Sequence, residues 1–146
     1  MAFVWMTILA IPARGDDFSW ISGNGSFYNA ANWAPFGIPT AADTIRIGNL
    51  GGIQNSTVTM GGQLVQGFSF LEVSSGMTLD TNGTELVSFA PVNIMGNNSR
   101  IIARPQALGP NVHDFQAILN VGTGARFELT NNVSTRLFAG SQSSGD

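Results

Sequence analysis

The sequence contains no cysteine, and its six lysines and arginines face nine acids, giving a formal net charge of −3 over 146 residues. The first absence excludes disulfides, a thiolate metal site and a cysteine nucleophile. The second excludes the concentrated basic face that phosphate binding needs, so no nucleic-acid partner is expected. Charged residues are only 10% of the chain, against roughly 25% in ordinary soluble domains. Exposed helix faces are normally filled with Glu, Lys and Arg, so this scarcity argues against a helical protein. No apolar run approaches the roughly 20 residues that a membrane-spanning helix takes, so no membrane span is expected.

What is present is glycine, 18 residues of it, and a hydrophobic fraction of 43%, set among many Thr, Ser and Asn. From Asp43 onward the chain reads as short runs such as DTIRIGN, NSTVTM, MTLDTNG, VNIMGN, SRIIAR and RFELTNN. Their alternation of apolar and polar positions is the signature of strands with one buried face. Ile45 and Ile47 share a face, as do Met77 and Leu79, and Phe127 and Leu129. Asn82-Gly83 is a strong turn dipeptide. No stretch of a dozen residues offers a helical stripe free of glycine, so helix should be scarce.

Short strands at near-regular spacing fit a sandwich, a barrel or a solenoid. Small polar links such as SSG, TNG, GNN and GTG suit tight corners. SSGMTLDTNGTELVSF loosely echoes GTGARFELTNNVSTRLF, which suggests a repeat. Scarce charge within the strands suits stacked coils, where like charges would repel. The expectation is therefore an all-β, right-handed parallel β-solenoid (β-helix) fragment with an N-terminal aromatic cap. RPQALGPNVHDFQ, residues 104–116, breaks the rhythm and reads as an excursion loop.

The organisation expected is a signal peptide over 1–15, a cap over 16–42 and solenoid coils over 43–146, with the natural chain continuing past the polar end FAGSQSSGD. The apolar stretch from Ala2 to Ile11, followed by Ala13-x-Gly15, fits an h-region and a small-residue cleavage site, although no basic residue precedes Ala2. A buried first strand is the alternative. In the cap, Trp20, Phe27 and Trp33 are separated by Gly, Ser and Asn turns, with Pro35 and Pro39 holding off regular strand until Asp43. A stack of coils needs large side chains under its first rung. Asp43 is placed to accept backbone amides at the turn into the first regular strand.

The pattern Trp20-x-x-Gly23-x-Gly25-x-Phe27, then Asn32-Trp33, Gly37-x-Pro39 and Asp43-Thr44-x-x-Ile47 resembles the N-terminal phrase of bacterial exported β-helix surface proteins, some autotransporter-like and some with sorting tails. The resemblance covers roughly residues 18–48. It implies a repetitive solenoid at the cell surface and a structural cap made of Trp20, Phe27, Asn32, Trp33, Pro39 and Asp43.

No catalytic residue, cofactor or metal site is expected. The acids Asp43, Asp80, Asp114, Glu72, Glu85 and Glu128 stand singly along the chain, whereas glycoside chemistry needs two placed together. Glu72 and Asp80 could face each other only from neighbouring turns, and adjacent His113 and Asp114 lack the geometry of a base and its orienter. Calcium repeats of the G-G-x-G-x-D type do not occur. Trp20, Tyr28 and Trp33 are weak candidates for stacking on sugar, with burial in the cap as the blander account. The function expected is a non-catalytic secreted or cell-surface structural or adhesive module, exported to the cell surface. Its partners would be surface glycans or a host or neighbouring cell surface, with self-association through open coil ends. The alternative is a carbohydrate-active or carbohydrate-binding β-helix or β-sandwich domain.

Overall fold

A computed structural model describes residues 15–48, 52–61, 65–66, 68–84, 86–88, 90–104, 112–115, 118–130 and 134–137, the strands at 65–66, 86–88, 112–115 and 134–137 by backbone alone. The fold is all-β, with one short 3-10 turn at Ala30–Asn32 among the described residues.

The strands assemble into three sheets. The first holds β1 (Asp17–Trp20), β3 (Trp33–Ala34), β4 (Thr44–Ile47), β7 (Phe70–Val73), β10 (Val92–Ile94) and β13 (Leu119–Val121). The second holds β2 (Gly25–Ser26), β5 (Thr57–Thr59), β8 (Thr78–Asp80), β11 (Arg100–Ala103) and β14 (Arg126–Leu129). The third holds β6 (Val65–Gln66), β9 (Leu86–Ser88), β12 (Val112–Phe115) and β15 (Ser134–Leu137). Parallel partners are never consecutive strands, because a parallel pair needs a crossover whereas a hairpin would make an antiparallel one.

Register follows the apolar alternation. Ile45, Leu71, Val92 and Leu119 stand opposite one another in the first sheet, and Ile47, Val73, Ile94 and Val121 form the next column. In the second sheet Val58, Leu79, Ile101 and Phe127 align. Slipping one strand by a residue would carry its whole apolar set to the outer face, and that penalty fixes the register. Apart from the exposed Val121, these columns form one core with Met60, Phe68, Met77 and the aromatics of the N-terminal segment. Burial fades toward the last strands: Ile94 is 0% exposed and its neighbour Val121 46%, while Ala103 is 0% and its neighbour Leu129 47%.

Turns between strands use the left-handed residues that the sequence supplies. Asn82 and Gly83 both adopt positive φ, 44° and 82°, and the Thr84 amide closes that turn on the Thr81 carbonyl at 2.8 Å. Gly48 has φ 109°, and a Cβ there would run into the Ser74 carbonyl.

Two expectations are corrected. The structure consists of parallel and mixed sheets and is not the right-handed parallel β-solenoid (β-helix) with an N-terminal aromatic cap expected from the sequence. The first sheet is mixed, because β1 pairs antiparallel with β3 as well as parallel with β4. Regular strand also begins earlier than expected: despite Pro35 and Pro39, β1, β2 and β3 all precede Asp43, and β1 and β2 are parallel partners of β4 and β5. Polar corners and loosely echoed phrases report strand length and turn position. How sheets are connected and ordered depends on long-range pairing, which those local signals do not carry. The second correction concerns 104–116, expected as an excursion loop: Val112–Phe115 is β12, paired parallel with both β9 and β15. The expected signal peptide lies outside the described residues except for Gly15, and the chain end from 138 lies outside them altogether.

Candidate functional site

The aromatic residues singled out in the sequence lie together. Trp20 ends β1, Trp33 opens β3, and the two are directly paired across the antiparallel ladder. Their rings meet edge to face at 5.0 Å, and Trp33 makes the same kind of contact with Phe27 at 5.0 Å and Phe18 at 6.3 Å. This is the geometry that the ring quadrupole favours. Each indole N–H finds a carbonyl: Trp20 Nε1 donates to Gly23 at 3.0 Å and Trp33 Nε1 to Phe27 at 2.7 Å. Trp20 and Phe27 are 0% exposed and Trp33 1%, so neither tryptophan offers a face to a sugar. Tyr28 is half-buried and packs against Phe27 at 5.3 Å. Burial pushes its phenol pKa above the ordinary value of 10, and a hydrogen bond with Thr84 works in the opposite direction.

Asn32 and Asp43 hold the loops around this cluster. Asn32 donates from Nδ2 to the Ser26 carbonyl at 3.0 Å, and its own carbonyl accepts from the Ile21 amide at 2.9 Å. Asp43 is buried. Its Oδ1 accepts from the Asp16 amide at 2.9 Å, and Oδ2 accepts from the Thr40 amide at 2.6 Å and the Thr40 hydroxyl at 2.9 Å. The carboxylate thereby ties together both strand entries, β1 and β4. Pro39 is buried beside this loop.

The outer faces carry polar columns. In the first sheet Arg46 aligns with Glu72, then Asn93, then Asn120, and Asn120 Nδ2 donates to Asn93 Oδ1 at 2.7 Å. In the second sheet Thr57, Thr78, Arg100 and Arg126 align. That column, with the turn residues Asn55, Gly76 and Asn98, lines a groove of about 290 Å³. Arg100 donates from Nε to Thr78 Oγ1 at 3.0 Å and stands 3.9 Å from Glu128. Single-residue motif reading missed this groove, because its members sit far apart in sequence and meet only through parallel register.

The acids considered for chemistry are dispersed. Glu72 is on the first sheet and Asp80 on the second. Asp80 is engaged by Arg104, whose Nε lies 2.7 Å from Oδ1 and 2.9 Å from Oδ2. That hydrogen bond first, and the carboxylate charge second, push the Arg104 pKa above its ordinary value. His113 and Asp114 are successive residues of β12; their side chains lie outside the description. Among the described residues no group of three or more His, Asp or Glu side chains stands together to hold a metal, and no helix is long and apolar enough to cross a membrane.

Comparison finds no matching family model, no matching curated protein and no matching solved structure.

Proposed function

We propose that this protein is a non-catalytic, exported structural or adhesive module of the cell surface. The observation that carries the reading is the in-register polar face: Thr57, Thr78, Arg100 and Arg126 repeat outward positions strand after strand on the second sheet, and Asn93 and Asn120 do so on the first. Steps of about 4.8 Å between strands set like groups in rows, and rows of weak contacts gain strength through multiplicity. The resemblance of the N-terminal phrase to that of bacterial exported surface proteins supports the location, as does the low share of charged residues, 10% of the chain. Self-association belongs to the same reading, since the half-exposed Val121 and Leu129 lie on β13 and β14 at one end of their sheets.

The test is protease shaving of intact cells of the source organism, followed by peptide mapping. Peptides from this chain among the shaved fragments, with the first beginning at Asp16, are the expected result. Recovery only from the cell interior, with Met1 retained, would overturn the reading.

A further inference from the structure

The arginine-lined groove has one feature that folding alone does not explain. Arg100 and Arg126 stand directly opposite each other on neighbouring parallel strands, an arrangement that is destabilising unless something neutralises it. The other arginines whose side chains are described are answered. Arg46 lies 3.7 Å from Asp17 and 5.5 Å over the Phe70 ring, and Arg104 grips Asp80. Glu128 approaches Arg100 at 3.9 Å, but among the described residues no carboxylate lies within 4 Å of Arg126 and no hydrogen bond is made by its side chain. The groove therefore presents one uncompensated guanidinium beside a partly compensated one, flanked by the Thr57 hydroxyl and by Asn55 and Asn98.

We propose that this groove binds an acidic polysaccharide, with Arg126 as the principal contact to its carboxylate or sulfate groups. The inference rests on the surface-module reading and names the ligand class of its polar face. A guanidinium matches a carboxylate or sulfate with paired N–H donors, and hydroxyls and amides on either side suit the neutral hydroxyls of a sugar chain. The direction fits too. The column runs across the strands, so a linear polymer lying along it meets Thr57, Thr78, Arg100 and Arg126 in turn. A nucleic acid fits poorly, because no aromatic side chain lines the groove for its bases to stack on.

The experiment measures binding of the intact chain to polygalacturonate, dextran sulfate, uncharged dextran and an oligothymidylate, by affinity electrophoresis at low and physiological salt. Each is run with the parent protein and with Arg126→Gln, Arg126→Lys and, as a control on the other sheet, Arg46→Gln. The expected result is binding to one or both acidic polysaccharides, the stronger of the two identifying the acid group. Arg126→Gln should weaken it about tenfold, the loss of one charge-assisted contact, Arg126→Lys should weaken it less, and Arg46→Gln should leave it unchanged. The Arg126 side chain makes no internal bond and stands opposite Arg100, so Arg126→Lys should unfold near the parent's midpoint and Arg126→Gln at or slightly above it, which circular dichroism checks. Equal binding to dextran, tighter binding to the oligothymidylate, equal losses in Arg126→Gln and Arg46→Gln, or no binding to either acidic polymer overturns the proposal. A protein that is shaved from cells but shows no Arg126 dependence loses this inference alone. One found only inside cells yet binding polyuronate through Arg126 loses the surface reading alone.

Discussion

Replacing Trp33 by alanine removes the residue on which the N-terminal packing converges. Trp33 is 1% exposed and touches Trp20, Phe27 and Phe18 edge to face. Truncating a buried tryptophan costs about 3–5 kcal/mol through lost transfer energy and the cavity left behind. The Phe27 carbonyl, which accepts from the Trp33 indole at 2.7 Å, is left without its partner, a penalty of about 1–3 kcal/mol where water cannot reach it. A total near 5 kcal/mol is comparable with the whole stability of an ordinary domain, about 5–15 kcal/mol. Urea unfolding followed by circular dichroism should show either an unfolded variant or a midpoint lowered in proportion. In a thermal scan the shift should be about 10–20 °C, at 2–4 °C per kcal/mol for a chain of this size. Trp33→Phe keeps a ring in place and loses the N–H, so it should cost about 1–3 kcal/mol. A Trp33→Ala variant within about 1 kcal/mol of the parent would refute the reasoning; glycan binding lost with that stability kept would turn the tryptophan back into a sugar contact.

Asp43→Ala strips the acceptor from two backbone amides and a hydroxyl and should cost about 2–3 kcal/mol by chemical denaturation, whereas Asp43→Asn, retaining one acceptor oxygen, should lose less; equal losses would show that the carboxylate bonds are not what stabilises this loop. Tyr28 titrates above its unfolded value of 10 in the folded chain, so its contribution is complete below pH 10 and is lost as pH rises through the folded value, because the unfolded chain gives up the proton first. Stability measured from pH 9 upward should therefore fall less steeply in Tyr28→Phe than in the parent, and parallel curves would contradict the burial argument. Lysine in place of Leu129, 47% exposed on β14, should reduce self-association in sedimentation velocity with little change in folding, since charge on an edge strand opposes edge pairing. A parent chain that is monomeric at high concentration would remove the reason for that variant.

Much of the local structure was legible in the sequence because its causes are local. Alternation in DTIRIG placed Ile45 and Ile47 inward, and both are fully buried. Asn82-Gly83 marked a turn because both residues tolerate positive φ. The burial of Trp20, Phe27 and Trp33 was foreshadowed by large aromatics set between small turn residues. The early strands were not legible, because β2 and β3 are only two residues long and too short to show a period. Strand β12 was hidden for a different reason: VHDF carries the one histidine and an acid, and its pairing with β9 and β15 outweighs its weak apolar pattern.

By itself the sequence determined an all-β chain, its turn chemistry and its aromatic cluster, since each follows from side-chain shape and backbone preference within a few residues. The tertiary structure alone decided that β1 is shared between β3 and β4, that the sheets are parallel and mixed, and that Arg100 stands opposite Arg126. Those outcomes depend on which distant strands pair and in what register, and that choice is made by burying whole columns of apolar side chains together.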